Sequence, residues 1–99
     1  MTKGYWIAHV TVRDPERYKQ YQALNAAAFK KYNAKFLVRG GGDHAEVRGG
    51  TLKQRHVVLE FDSLAIAKAC YDSPEYKAAV AVRNQAADVD IVIVEGYAG

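Results

Sequence analysis

Residues 36–50, FLVRGGGDHAEVRGG, end an apolar run and contain Gly40-Gly41-Gly42-Asp43-His44-Ala45, the G-x-G-x-x-A spacing of a dinucleotide cradle. Asp62 ends the next apolar run 20 residues past Gly42, where a ribose-binding carboxylate is expected. What these glycines connect decides between a nucleotide fold and a simpler one. A cradle requires a helix whose N-terminus faces the pyrophosphate, running about 12 residues before the next strand. Only ten residues separate Ala45 from His56, and Gly49 and Gly50 among them would break a helix. The segment is therefore expected to connect two adjacent antiparallel strands, with AEVR at 45–48 extending the ladder. The nucleotide reading is set aside.

Upstream, YWIAHVTV at 5–12 is β-branched and aromatic, a strand that stops at Asp14, a helix cap, with Pro15 at the first helical position. From Pro15 to about Tyr32, apolar and aromatic residues recur at helical spacing (Tyr18, Tyr21, Ala28, Phe29, Tyr32), interrupted by Asn25. Asn33 and Ala34 close this helix and KFLVR forms a second strand. Downstream, RHVVLEF at 55–61 is a third strand, and Ser63 begins a short helix through Cys70. Ser73 and Pro74 then start another helix, and a fourth strand occupies 90–97. The order β-α-β-β-α-β, with its second helical region broken in two, predicts an α+β ferredoxin-like sandwich. One domain spans residues 1–99: a four-stranded antiparallel sheet with the helices on one face. The first and third strands are placed as central neighbours and expected to run parallel.

Composition sets further bounds. The chain is 49% hydrophobic and 25% charged, which is globular rather than disordered. Seven tyrosines against three phenylalanines point to a half-wet pocket or interface, or equally to strand propensity. The net charge of +3 is scattered, so no nucleic-acid partner is expected. Lone Cys70 has no disulfide or metal partner in sequence. The start MTKGYWIAHVTVRD lacks the apolar stretch of a secretory signal, and no 18 apolar residues run together. A cytoplasmic protein without a membrane partner is expected.

Alternation separates Trp6, Ala8, Val10 and Val12 from Tyr5, Ile7, His9 and Thr11 on the first strand, and Val57, Leu59 and Phe61 from His56, Val58 and Glu60 on the third. The richer apolar sets should face the helices. On the fourth strand both sets, Ile91 and Ile93 against Val92 and Val94, are aliphatic, so the far face also carries an apolar patch. Covering it with the same face of a second copy predicts a homodimer.

Four stretches, GYWIAHVTVRDPERYKQY, FLVRGG, RHVVLEFDS and YDSPEYKAA, together resemble the bacterial domain-of-unknown-function 1330 family over nearly the whole chain. The resemblance implies a dimeric α/β barrel, in which two ferredoxin-like sheets pack together, and no established activity. The wider superfamily includes cofactor-free monooxygenases, dismutase-like haem enzymes and stress-related proteins. Two departures stand out: Asn33-Ala34-Lys35 replaces a glycine pair, and Cys70 stands where an aromatic is common.

His9, His56 and Glu60 share the far face of adjacent strands, a set suited to acid–base work or metal binding. The preferred reading is structural, histidine hydrogen-bonded to carboxylate inside a dimer interface, with no metal and no cofactor. Arg39, Arg55 and Arg83 suit a carboxylate or phosphate ligand through the planar guanidinium fork, or a salt bridge to Glu60 or Glu46. Tyr18, Tyr21 and Tyr76 either line a pocket between helices and sheet or fill the core. The candidate ligand pocket is thus His9, Tyr18, Tyr21, Arg39, Glu60, Tyr76 and Arg83. The expected function is binding or transforming a small anionic or aromatic metabolite without a bound cofactor. The alternative is a non-enzymatic structural or stress-associated dimer. An RNA-binding module of the same topology is a remote third, because His56 and Val58 stand where its stacking aromatics belong.

Overall fold

A computed structural model describes residues 2–51 and 53–99. Strand β1 (Gly4–Val12) leads into helix α1 (Pro15–Lys31), then β2 (Lys35–Gly41), β3 (Arg55–Phe61), helices α2 (Leu64–Asp72) and α3 (Pro74–Ala86), and β4 (Ala87–Glu95). The four strands form one antiparallel sheet in the order β2-β3-β1-β4. This is the α+β ferredoxin-like arrangement, with all three helices on one face. No described helix is long and apolar enough to cross a membrane.

Each helix begins where a side chain can accept a free amide. The Asp14 carboxylate accepts from Arg17 N at 3.2 Å, Ser63 Oγ from Ile66 N at 3.1 Å and Ser73 Oγ from Tyr76 N at 3.2 Å. Ser73 is extended (ψ 152°) and is followed by proline, which separates α2 from α3. At the other end of α1, Asn33 takes the left-handed conformation (φ 56°) that asparagine tolerates.

Three expectations are corrected. The central neighbours β1 and β3 run antiparallel, pairing Trp6 with Leu59 and Ile7 with Val58. The helical crossover makes β1 and β2 parallel, and β3 returns from β2 as a hairpin, so it must oppose both. Residues 45–48 do not extend the ladder: pairing stops at Gly41 opposite Arg55, and a 3₁₀ turn at Gly42–His44, entered at φ 60°, carries the chain out of the sheet. Finally, β4 starts at Ala87 rather than 90, because Ala87 and Val89 already pair with Val12 and Val10 as α3 ends.

The core lies between sheet and helices. Trp6, 2% exposed, packs its ring against Phe29, Phe61, Tyr71 and Tyr76, and its indole N–H donates to the Ala67 carbonyl at 2.9 Å. A buried indole donor with a partner keeps its hydrophobic gain without an unpaired polar group. The opposite face carries rows that cross the sheet: Val38, Val58, Ile7 and Val92 form one, and Gly40, His56, His9 and Asp90 another. Val92 is 51% and Val94 40% exposed, while Ile91 and Ile93 pack on the core, which settles which aliphatic set of β4 faces outward.

Candidate anion site beneath the helices

Helices α1 and α3 do not close completely onto the sheet. A cavity of about 40 Å³ remains, lined by Tyr18, Tyr21, Gln22 and Asn25 of α1, Arg39 of β2, Arg55 of β3 and Tyr76 and Arg83 of α3, over an apolar floor that includes Trp6 and Leu59. At roughly 10–15 Å³ per water, that is room for about three waters. Helical geometry aligns the lining: Tyr18, Tyr21 and Asn25 recur at three- and four-residue steps, and Arg83 follows Tyr76 by two turns.

The polar groups form a chain. Arg83 Nη1 donates to Tyr76 Oη at 3.4 Å and Nη2 to Tyr71 Oη at 3.2 Å. The Tyr76 and Tyr21 hydroxyls lie 2.6 Å apart. Tyr76 oxygen accepts from the guanidinium and keeps a second lone pair, so either hydroxyl can donate to the other, and one of the two tyrosine protons is left for a further acceptor. Burial pushes both hydroxyls above the usual tyrosine value, so both stay protonated donors near neutral pH. Burial disfavours the charged form of Arg83, but the Tyr76 and Tyr71 hydroxyls outweigh it and hold its pKa above the ordinary value.

The arginines grade from depth to mouth: Arg83 is 8% exposed, Arg55 is half-buried and Arg39 is exposed. Each lies over an aromatic ring, Arg83 on Tyr71 at 5.8 Å, Arg55 on Tyr18 at 5.5 Å and Arg39 on Phe36 at 4.6 Å. Among the described residues, no carboxylate pairs with any of the three and none lines the cavity. Among the described residues, the Nε atoms of Arg55 and Arg83 are buried with no hydrogen-bond acceptor. Among the described residues the expected salt bridges do not form: Glu60 accepts from Tyr5 Oη at 3.0 Å, and Glu46 pairs with Arg48.

The structure thus divides the predicted site. Tyr18, Tyr21, Arg39, Tyr76 and Arg83 converge on the cavity, whereas His9 and Glu60 lie on the opposite sheet face. There His9 faces His56, with Nδ1 to Nδ1 at 2.8 Å, so histidine contacts histidine and not carboxylate. Asn25 was visible as a polar break in an apolar stripe, and it is buried at 8% exposure against the cavity. Nothing local marked Tyr71. Cys70 is buried and hydrogen-bonds weakly to Ala28 O, and its thiol is pushed up to about 12 by burial and by Glu75, which keeps it unreactive.

The family model for the domain of unknown function DUF1330 matches residues 3–97. The chain belongs to that family. No curated protein matches it. Among solved structures, a protein of unknown function from Rhodopseudomonas palustris aligns with a TM-score of 0.75 at 16% identity, covering 99% of this chain and 85% of that one. A cofactor-independent oxygenase from Streptomyces nogalater aligns at 0.65 and 11% identity, covering 100% and 97%. A dimeric protein of ferredoxin-like fold from Bacteroides fragilis aligns at 0.54 and 19%, covering 95% and 96%. At these identities the likeness is one of fold.

Proposed function

We propose that this DUF1330 protein is a homodimeric α/β-barrel protein that binds a small anionic metabolite, a carboxylate or other compact oxyanion, in the cavity beneath α1 and α3. One observation carries the reading: among the described residues, three arginines meet at the cavity with no carboxylate, and two of them leave a buried Nε–H without an acceptor. A buried, unpaired guanidinium donor is costly, and an anion accepting from Arg83 Nε and Tyr21 Oη offsets that cost. The cavity volume favours an anionic head group of a few heavy atoms, with any aromatic or aliphatic remainder extending toward Arg39 and Phe36. The same fold serves a cofactor-independent oxygenase in Streptomyces nogalater, so small-molecule chemistry at such a cavity is compatible with it. The reading invokes no resident cofactor. The dimer is supported by the apolar outer face and by the dimeric Bacteroides fragilis protein of the same fold.

The test is thermal stabilisation by a panel of small carboxylates and phosphates, since a ligand at 100 times its Kd stabilises the native state by about 2.7 kcal/mol. Arg83→Met should lose that response. Its unliganded stability should stay within about 1 kcal/mol of the parent, because relief of an unpaired buried charge offsets the lost tyrosine hydrogen bonds. Stabilisation by anions that persists in Arg83→Met places binding elsewhere, and no response to any anion favours the non-enzymatic structural dimer.

A further inference from the structure

The three arginines of the cavity come from two different layers. Arg83 projects from α3, is 8% exposed and is held by Tyr71 and Tyr76. Arg39 and Arg55 belong to the sheet. Arg39 pairs with Val57 and Gly41 with Arg55, so the two arginines are diagonal neighbours on the helix-facing side of β2 and β3, within reach of each other's long side chains. Like charges placed this way repel unless a counter-charge stands between them. Among the described residues, neither has a carboxylate partner. Tyr18 lies against Arg55 and Phe36 against Arg39, but an aromatic ring carries no net charge. Two positive poles therefore face the cavity, one on a helix and one on the sheet. Each contains a buried Nε–H without an acceptor among the described residues, that of Arg83 in one and that of Arg55 in the other.

We propose that the ligand is a dianion with two separated oxyanion groups, of the short-chain dicarboxylate class, one group held at Arg83 and the other between Arg55 and Arg39. This rests on the anion-site reading above and names its ligand class. Charge is the first argument. A single carboxylate leaves two of the three guanidiniums uncompensated, and a second carboxylate leaves one. Space is the next. A cavity of about 40 Å³, at roughly 10–15 Å³ per water, takes one carboxylate but not a whole dicarboxylate. The second group must therefore lie further out. Arg55 is placed to receive it, because it lines both the cavity and the open cleft that continues past Val10, Val12 and Gly41. The cavity floor includes Ala8, Leu59 and Trp6, whose indole N–H is already given to Ala67, so it suits a methylene link and offers nothing to a polar one. Each guanidinium fork can present two parallel N–H donors to a carboxylate, which uses the unpaired Nε–H at either pole.

The test is calorimetric titration of the full chain, at neutral pH and constant ionic strength, with malonate, succinate and glutarate against propionate, butyrate and valerate. At least one dicarboxylate should bind at least about tenfold tighter than the monocarboxylate of equal carbon number, because the second group, once tethered, acts at high effective concentration. Inorganic sulfate carries both charges on one centre and should not share this advantage. Arg55→Met should lower the preference below about threefold by removing the sheet pole, whereas Arg83→Met should lose both ligand classes. Arg48→Met removes an equal charge from an exposed position outside the cavity lining and should keep the preference within about twofold of the parent, since exposed charges contribute little. Melting curves show whether each variant folds, and if Arg55→Met does not, the exposed Arg39→Met decides in its place. A parent that binds monocarboxylates and dicarboxylates alike overturns the two-pole ligand and leaves the single-anion site standing. A parent that binds no anion at all overturns both. Sulfate as tight as the best dicarboxylate, or a preference that survives loss of the sheet arginine, also overturns the proposal.

Discussion

Arg83 and Arg39 illustrate how one residue type serves two depths. Arg83 is held by two tyrosine hydroxyls and its Nε is buried without a partner among the described residues, so its geometry is set before any ligand arrives. Preorganisation of this kind reduces the ordering cost of binding. Arg39 is exposed and, among the described residues, stacks on Phe36 alone, so its ordering is completed by whatever enters the mouth. Arg39→Lys should therefore leave the melt unchanged but weaken an anionic ligand by roughly 1–3 kcal/mol, through loss of the two-pronged contact. Titration of both proteins with a ligand found by thermal screening checks this; equal affinities remove Arg39 from the site.

The strands and helices depend on a few close approaches. A Cβ added at Gly41 would run into the Gln54 carbonyl and the Arg55 backbone, whereas one at Gly49 meets nothing within 4 Å. Gly41→Ala should destabilise by at least about 2 kcal/mol, as forced backbone shifts do, and Gly49→Ala should be near neutral. Urea denaturation of the two variants separates them, and equal midpoints would contradict the close-approach role of Gly41. Helices α1 and α3 are also tied together by Lys31 and Glu75 at 2.7 Å. The hydrogen bond from Lys31 lowers the Glu75 pKa and raises that of Lys31. The stabilisation is therefore present above the ordinary carboxylate value and below the ordinary lysine value. It disappears as pH falls through the depressed Glu75 pKa or rises through the elevated Lys31 pKa. Melting temperatures of the parent and Glu75→Gln should differ at neutral pH and converge in acid; a gap that stays constant in acid would argue against the pair.

The assembled domain has one face closed by helices and one face left with the Val38, Val58, Ile7 and Val92 row. A two-fold pairing of that face would bury this row and bring two copies of the His9–His56 pair toward each other. Light scattering at micromolar concentration should give about twice the 11.0 kDa chain mass. Val58→Asp should dissociate or unfold the protein, since an unpaired buried charge costs several kcal/mol. A monomeric parent, or a Val58→Asp dimer of parental stability, would refute pairing through this face.

Much of this architecture was legible in the linear chain. Asp14-Pro15 and Ser73-Pro74 marked helix starts because capping is a contact over three residues, and the alternation of Trp6, Ala8 and Val10 marked the core face because a strand's side chains strictly alternate. Asn25 was visible only as a polar break in an apolar stripe; that it borders the cavity depends on what packs opposite it. Local periodicity records which way a side chain points, but not what lies opposite it. The antiparallel sense of β3, the outward set of β4, the gathering of Arg39, Arg55 and Arg83 without a carboxylate, and the contact of His9 with His56 all depend on pairing between segments tens of residues apart. Those contacts are selected by burying the apolar faces together, and the polar groups meet wherever that packing leaves them.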